Sequence, residues 1–183
     1  MRNNIKILLF SFFLLLFSIP RVEALGTASL YFNGTNSVEV GKTIEVTLAI
    51  SNIKNTDGGV TAIQGKLNYD SNYLEFVSSS NLATYGITYQ DNSRMLAGVD
   101  VTGVGIKSNS NIMKFVFKTK QIGNTTIRLG ELEIADAKNN PLSVGSPSKT
   151  ISITAPLSSN NNLSSLSVST GSISFNKDTT SYS

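Results

Sequence analysis

The chain has 183 residues, with 15 Lys and Arg against 12 Asp and Glu, and it contains no His, Cys or Trp. Those absences exclude disulfide staples, thiol nucleophiles and imidazole acid–base chemistry. A net charge of +3 with no dense run of Lys or Arg leaves no electrostatic footprint for nucleic acid or an anionic membrane.

Arg2 and Lys6 precede an uncharged, mostly apolar run from Ile7 to Ile19, followed by Pro20 and Val22-Glu23-Ala24. The run is about 13 residues against the roughly 20 that a spanning helix needs, so residues 1–24 read as a signal peptide cleaved after Ala24. Its loss removes Arg2, Lys6, Arg21 and Glu23, and with them most of the net positive charge. The expectation is a secreted chain whose mature domain does not span a membrane. With no cysteine near the cleavage point, a lipid anchor there is chemically ruled out.

Residues 25–155 are rich in Thr, Val, Ile, Ser, Asn and Gly, which favours strands and polar turns. Ala28 to Phe32 is a first strand, closed by the turn Asn33-Gly34-Thr35-Asn36. From Lys42 to Ile53, Ile44, Val46, Leu48 and Ile50 alternate with Glu45, Thr47, Ala49 and Ser51, one buried face against one solvated face. Asn55-Thr56-Asp57-Gly58-Gly59 turns the chain into a strand from Val60 to Tyr69. Asp70-Ser71-Asn72 breaks it, and Leu74 and Phe76 resume the inward rhythm.

Thr84 to Tyr89 and Arg94 to Val101 are further strands around a Gln90-Asp91-Asn92-Ser93 turn. Beyond Gly103-Val104-Gly105, Ile112 to Lys120 sets Met113, Phe115 and Phe117 against Lys114, Val116 and Lys118. Thr125 to Leu129 and Leu132 to Ile134 are short strands, residues 136–141 a loop, and Lys149 to Ile153 the last strand. This is an all-β chain, a jelly-roll sandwich of about nine strands. Residues 156–162 read as a Pro, Ser and Asn linker. Residues 163–183 alternate again from Leu163 to Val168 and read as the truncated start of a second β-sandwich.

Three regions carry a family resemblance: Val40-Gly41-Lys42-Thr43-Ile44-Glu45-Val46, the segment Leu67 to Glu75, and Phe115 to Ile127. In this order they resemble the cohesin module of cellulosome scaffolds, which is related in fold to certain carbohydrate-binding modules. The tail from Asn162 to Gly171, with Phe175 and Tyr182, resembles the start of a bacterial cadherin-like repeat. The first resemblance implies a non-catalytic module that recruits a dockerin-like partner in an extracellular polysaccharide-degrading or cell-surface assembly. It implies that calcium belongs to the partner, so no cofactor or metal is expected here.

If Ile63, Leu67 and Tyr69 point inward, then Ala62, Gln64, Lys66 and Asn68 point outward. The resemblance implies that this outer face meets the partner. In the best-known type, Asn and Asp lie seven and five positions before the motif Tyr, where this chain has Ala62 and Gln64. A small apolar residue cannot supply the hydrogen bonds that hold a helix end, so a divergent dockerin or another protein is expected.

Other chemistries have weaker support. Glycoside hydrolysis needs two carboxylates across a cleft. Asp57, Asp70, Asp91, Asp100 and Asp136 lie mostly in turns, where Asp bonds nearby backbone, so no catalytic residue is assigned. The loop from Asp136 to Asn140 lacks the spacing of an EF-hand. Tyr73, Tyr85 and Tyr89 are the rings through which the alternative function, carbohydrate binding, would act on a polysaccharide. A structural adhesin or spacer role is the other alternative.

Overall fold

The computed structural model describes residues 26–157. The signal peptide expected at 1–24, the second repeat expected at 163–183 and most of the linker expected at 156–162 lie outside them. Eleven strands make up the described part: β1 (Gly26–Asn33), β2 (Ser37–Glu39), β3 (Thr43–Lys54), β4 (Val60–Asn68), β5 (Leu74–Asn81), β6 (Ile87–Gln90), β7 (Met95–Val99), β8 (Ser110–Thr119), β9 (Gly123–Asp136), β10 (Leu142–Ser143) and β11 (Ser148–Thr154). They form two sheets, β10-β1-β3-β8-β5 and β2-β11-β9-β4-β7-β6.

The alternation written in the sequence sets most of what each strand buries, but Ala49, expected on the solvated face of β3, is buried with Leu48 and Ile50 because the register with β8 shifts between Leu48 and Ala49. Ile44, Val46, Leu48 and Ile50 of β3, with Phe115 and Phe117 of β8, are buried from the first sheet; Ile63 and Leu67 of β4, with Ile127 and Leu129 of β9, are buried from the second. Aromatic rings tie the sheets together. Phe117 meets Tyr69 edge-on at 5.0 Å and Phe76 at 6.0 Å, while Tyr89 of β6 lies 5.0 Å from Phe76 and 5.2 Å from Phe115. Gly65 faces the same interior, and a Cβ there would stand 3.0 Å from the Leu129 side chain, which would have to shift by a few tenths of an ångström to admit it.

Two differences from the sequence-based expectation have plain causes. The segments Thr125 to Leu129 and Leu132 to Ile134 are one strand, β9, carrying a bulge: Gln64 opposes Glu133 and Lys66 opposes Gly130, so three steps on β9 match two on β4. Glu131 takes φ 48° to absorb the extra residue. The other difference is two additional short strands, β2 and β10, which raise the count from about nine. Each is two or three residues long and exists through parallel pairing, β2 on β11 and β10 on β1, a non-local arrangement that no local pattern announces.

Candidate partner-binding face

Strand β4 lies inside its sheet, between β9 and β7, so its outward side chains stand in rows with theirs. Ala62 has Val99 beside it on β7 and Ala135 on β9; Gln64 has Ala97 and Glu133; Lys66 has Met95 and Gly130; Asn68 has Arg128. The four residues expected on the outer side, Ala62, Gln64, Lys66 and Asn68, all lie on it, while Ile63, Gly65 and Leu67 between them are buried.

The rows differ in character along the strand. At the Asn68 end the face is polar and internally bonded. Lys66 Nζ pairs with Glu131 Oε1 at 3.4 Å, an approach made by the bulge that turns Glu131 outward, and Asn68 Nδ2 donates to the Lys66 carbonyl at 3.1 Å. Beyond them the Arg94 guanidinium lies 4.1 Å from the centre of the Tyr69 ring and donates to the Tyr69 carbonyl at 2.9 Å. At the Ala62 end the face is apolar and concave. Ala62, Ala97, Ala135, Val99, Gln64 and Glu133 contribute to a cavity of about 490 Å³. The hollow follows from side-chain length, because the short Ala62 and Ala135 lie in one row between Val99 and Pro141, which bridges to Ala135.

Both flanks of the hollow are braced by buried carboxylates. Asp136, at the end of β9, accepts the N–H groups of Asp57 at 3.0 Å, Lys138 at 2.9 Å and Asn140 at 3.0 Å, and the Asn140 side-chain amide at 3.0 Å. Burial opposes its charge, but these donors prevail and hold the carboxyl below its ordinary range. Asp100, just after β7, accepts the Thr102 hydroxyl at 2.6 Å, the Thr102 N–H at 2.8 Å and the Gly105 N–H at 2.7 Å. The Thr102 hydroxyl and then the Gly105 N–H hold it low as well. The Gly105 backbone is at φ 65° and a Cβ there would meet the Gly58 carbonyl at 2.4 Å, so glycine is what lets this loop pack against the 55–59 turn.

The remaining candidates fall into structural roles. Asp70 accepts the Asn72 N–H at 2.8 Å, an Asx turn; Asp91 accepts the Tyr69 and Tyr89 hydroxyls at 3.1 and 3.4 Å; Asp57 pairs with Lys138 at 3.3 Å. Among the described residues no three Asp or Glu side chains gather to hold a metal ion. Tyr85 is buried, its hydroxyl has no hydrogen-bond partner, and burial pushes its pKa up to about 12. Tyr89 packs on Phe76 and Phe115, and Tyr73 packs against Gly123. Tyr85 thus fills the interior, while Tyr73 and Tyr89 are half-buried at its margins.

Sequence reasoning singled out β4 but missed Ala97, Val99, Glu133 and Ala135. The alternation of β7 and β9 marks each of them as outward. Their assembly beside Ala62 depends on pairing between distant strands.

A cohesin domain family model matches residues 32–175. Among curated proteins, none matches the chain. Among solved structures, a non-cellulosomal cohesin from the archaeon Archaeoglobus fulgidus is similar at 20% identity and TM-score 0.60, covering 70% of this chain and 92% of its own. A cohesin module of a family 33 glycoside hydrolase from Clostridium perfringens is similar at 15% identity and TM-score 0.61, covering 73% and 99%. The structure of a type I cohesin–dockerin complex from Clostridium thermocellum is similar at 15% identity and TM-score 0.57, covering 72% and 97%. At these identities the likeness is one of fold, and it matches the two-sheet sandwich described above. With the family model spanning most of its length, the chain belongs to the cohesin domain family.

Proposed function

We propose that the chain is an exported, non-catalytic recruitment module that binds a dockerin-type partner on the outer face of β9-β4-β7-β6. One observation carries this reading: the outward row Ala62, Gln64, Lys66 and Asn68 lies at the centre of a broad sheet face with a hollow at one end. A face of that breadth suits a rigid helical partner better than an extended peptide, which would add to a sheet edge. Calcium is carried by the partner. Export is supported by the basic start, the apolar run and the small residues before Leu25. The setting is an extracellular polysaccharide-degrading or cell-surface assembly.

Titration calorimetry of the purified chain against dockerin modules, with calcium and then with chelator, tests this. The expected result is binding that chelation abolishes and that Lys66→Glu with Asn68→Ala weakens at least tenfold. Binding that ignores both chelator and these changes overturns it.

A further inference from the structure

We infer that the hollow at Ala62 receives an aliphatic side chain from the partner helix, and that Glu133 receives a Lys or Arg one helical turn away on that helix. This rests on the recruitment reading above and adds the partner's chemistry to it. The short side chains Ala62, Ala97 and Ala135, with Val99 and Pro141, give the hollow a mostly apolar lining that suits an aliphatic group, and Glu133 lines it as well.

The apolar character continues past the hollow. Val99, Val101 and Val104 are 66%, 93% and 59% exposed, three branched side chains within one short stretch of chain that begins at the hollow's edge. Such a cluster marks a contact surface when it is held in place, and Asp100 holds it. Its carboxylate clamps Thr102 and Gly105, which fixes the loop while the valines on either side project into solvent.

The adjacent row supplies the charge. Glu133 opposes Gln64, one row along from Ala62, and among the described residues it has no ion-pair partner, whereas Glu131 has Lys66. A helix laid over this face takes water away from the Glu133 carboxylate, which then needs a cation from the partner. The spacing fits: successive outward residues on a strand are about 6.7 Å apart, and a helical turn rises about 5.4 Å, so one helix stripe reaches both points.

Selection from a displayed library of calcium-loaded dockerin modules, with the exposed helix positions randomised and the full chain as bait, tests the inference. Enriched modules are expected to share an aliphatic residue with a Lys or Arg three or four positions away. Their affinity is expected to fall at least tenfold on Ala62→Leu, which fills the hollow, and on Glu133→Lys. The second loss should be recovered by exchanging the module's Lys or Arg for Glu. Both changes lie on a solvent-facing surface, and Ala97→Asp, at an exposed position, is a further probe of the same hollow if Ala62→Leu lowers the melting temperature. Enriched modules that carry Ser or Thr and tolerate Ala62→Leu and Glu133→Lys overturn the inference while leaving recruitment intact. No enrichment over a bait-free control overturns both. Self-association of the chain that Ala62→Leu relieves overturns it in favour of a second copy in the hollow.

Discussion

The two sheets of this sandwich have outer faces built by the same alternation and different in shape. On the five-stranded sheet, the outward rows join Glu45 to Val116 and Thr47 to Lys114, and the Lys114 ammonium pairs with Glu45 at 3.2 Å. On the six-stranded sheet, three strands each contribute an alanine, at positions 62, 97 and 135, and the surface dips where they meet. The hollow on this face comes from short side chains placed between longer ones.

The largest expected effect tests the interior common to both faces. Phe117 is fully buried and touches Tyr69 and Phe76, so Phe117→Ala should cost about 3–5 kcal/mol in denaturant unfolding. Both outer faces should then fail together, which defines what nonspecific loss of binding looks like. A cost under about 1 kcal/mol would mean the rings do not tie the sheets as described.

A smaller and more local effect separates the faces. Asp136→Ala leaves three backbone N–H groups without their acceptor, and should cost about 2–3 kcal/mol while loosening one flank of the hollow. Acid should do the same to both flanks. The Asp100 and Asp136 carboxyls are held below their ordinary range when folded, so their stabilisation is complete well above the unfolded value of about 3.9 and is lost as pH falls through it toward the folded values. Hydrogen exchange should show the amides of residues 100–105 and 136–140 losing protection below about pH 4 before those of β3 and β8. Simultaneous loss in both sheets would remove the distinction.

How much of this could be read in advance depended on whether the cause was local. The outward placement of Ala62, Gln64, Lys66 and Asn68 follows from the period of two in β4, and the turn roles of Asp70, Asp100 and Asp136 follow from their short side chains in Asn- and Gly-rich stretches. The hollow was not legible, because Ala62 on its own reads only as a lost hydrogen-bonding group. It becomes a cavity floor once Ala97 and Ala135 are paired beside it from distant parts of the chain. The bulge at Glu131 was read as a strand break for a related reason: a residue at φ 48° between Gly130 and Leu132 interrupts the alternation, while pairing with β4 keeps the strand continuous.

The smallest effect gives the sharpest comparison, because each face carries one ion pair in nearly the same setting. Lys66–Glu131 spans 3.4 Å with its side chains 40% and 67% exposed, and Lys114–Glu45 spans 3.2 Å with 35% and 63%. Water screens both to a similar degree, so double-mutant cycles on stability should return a coupling of about 0–1 kcal/mol for each, with little difference between them. Any difference in partner affinity then cannot come from folding. Lys66→Met should weaken dockerin binding at least threefold, since a partner covering β4 must meet that ammonium or the Glu131 carboxylate it leaves unpaired. Lys114→Met should leave affinity unchanged. Equal responses to the two substitutions would mean that the partner does not distinguish the faces, and the alanine hollow would then have to be explained without it.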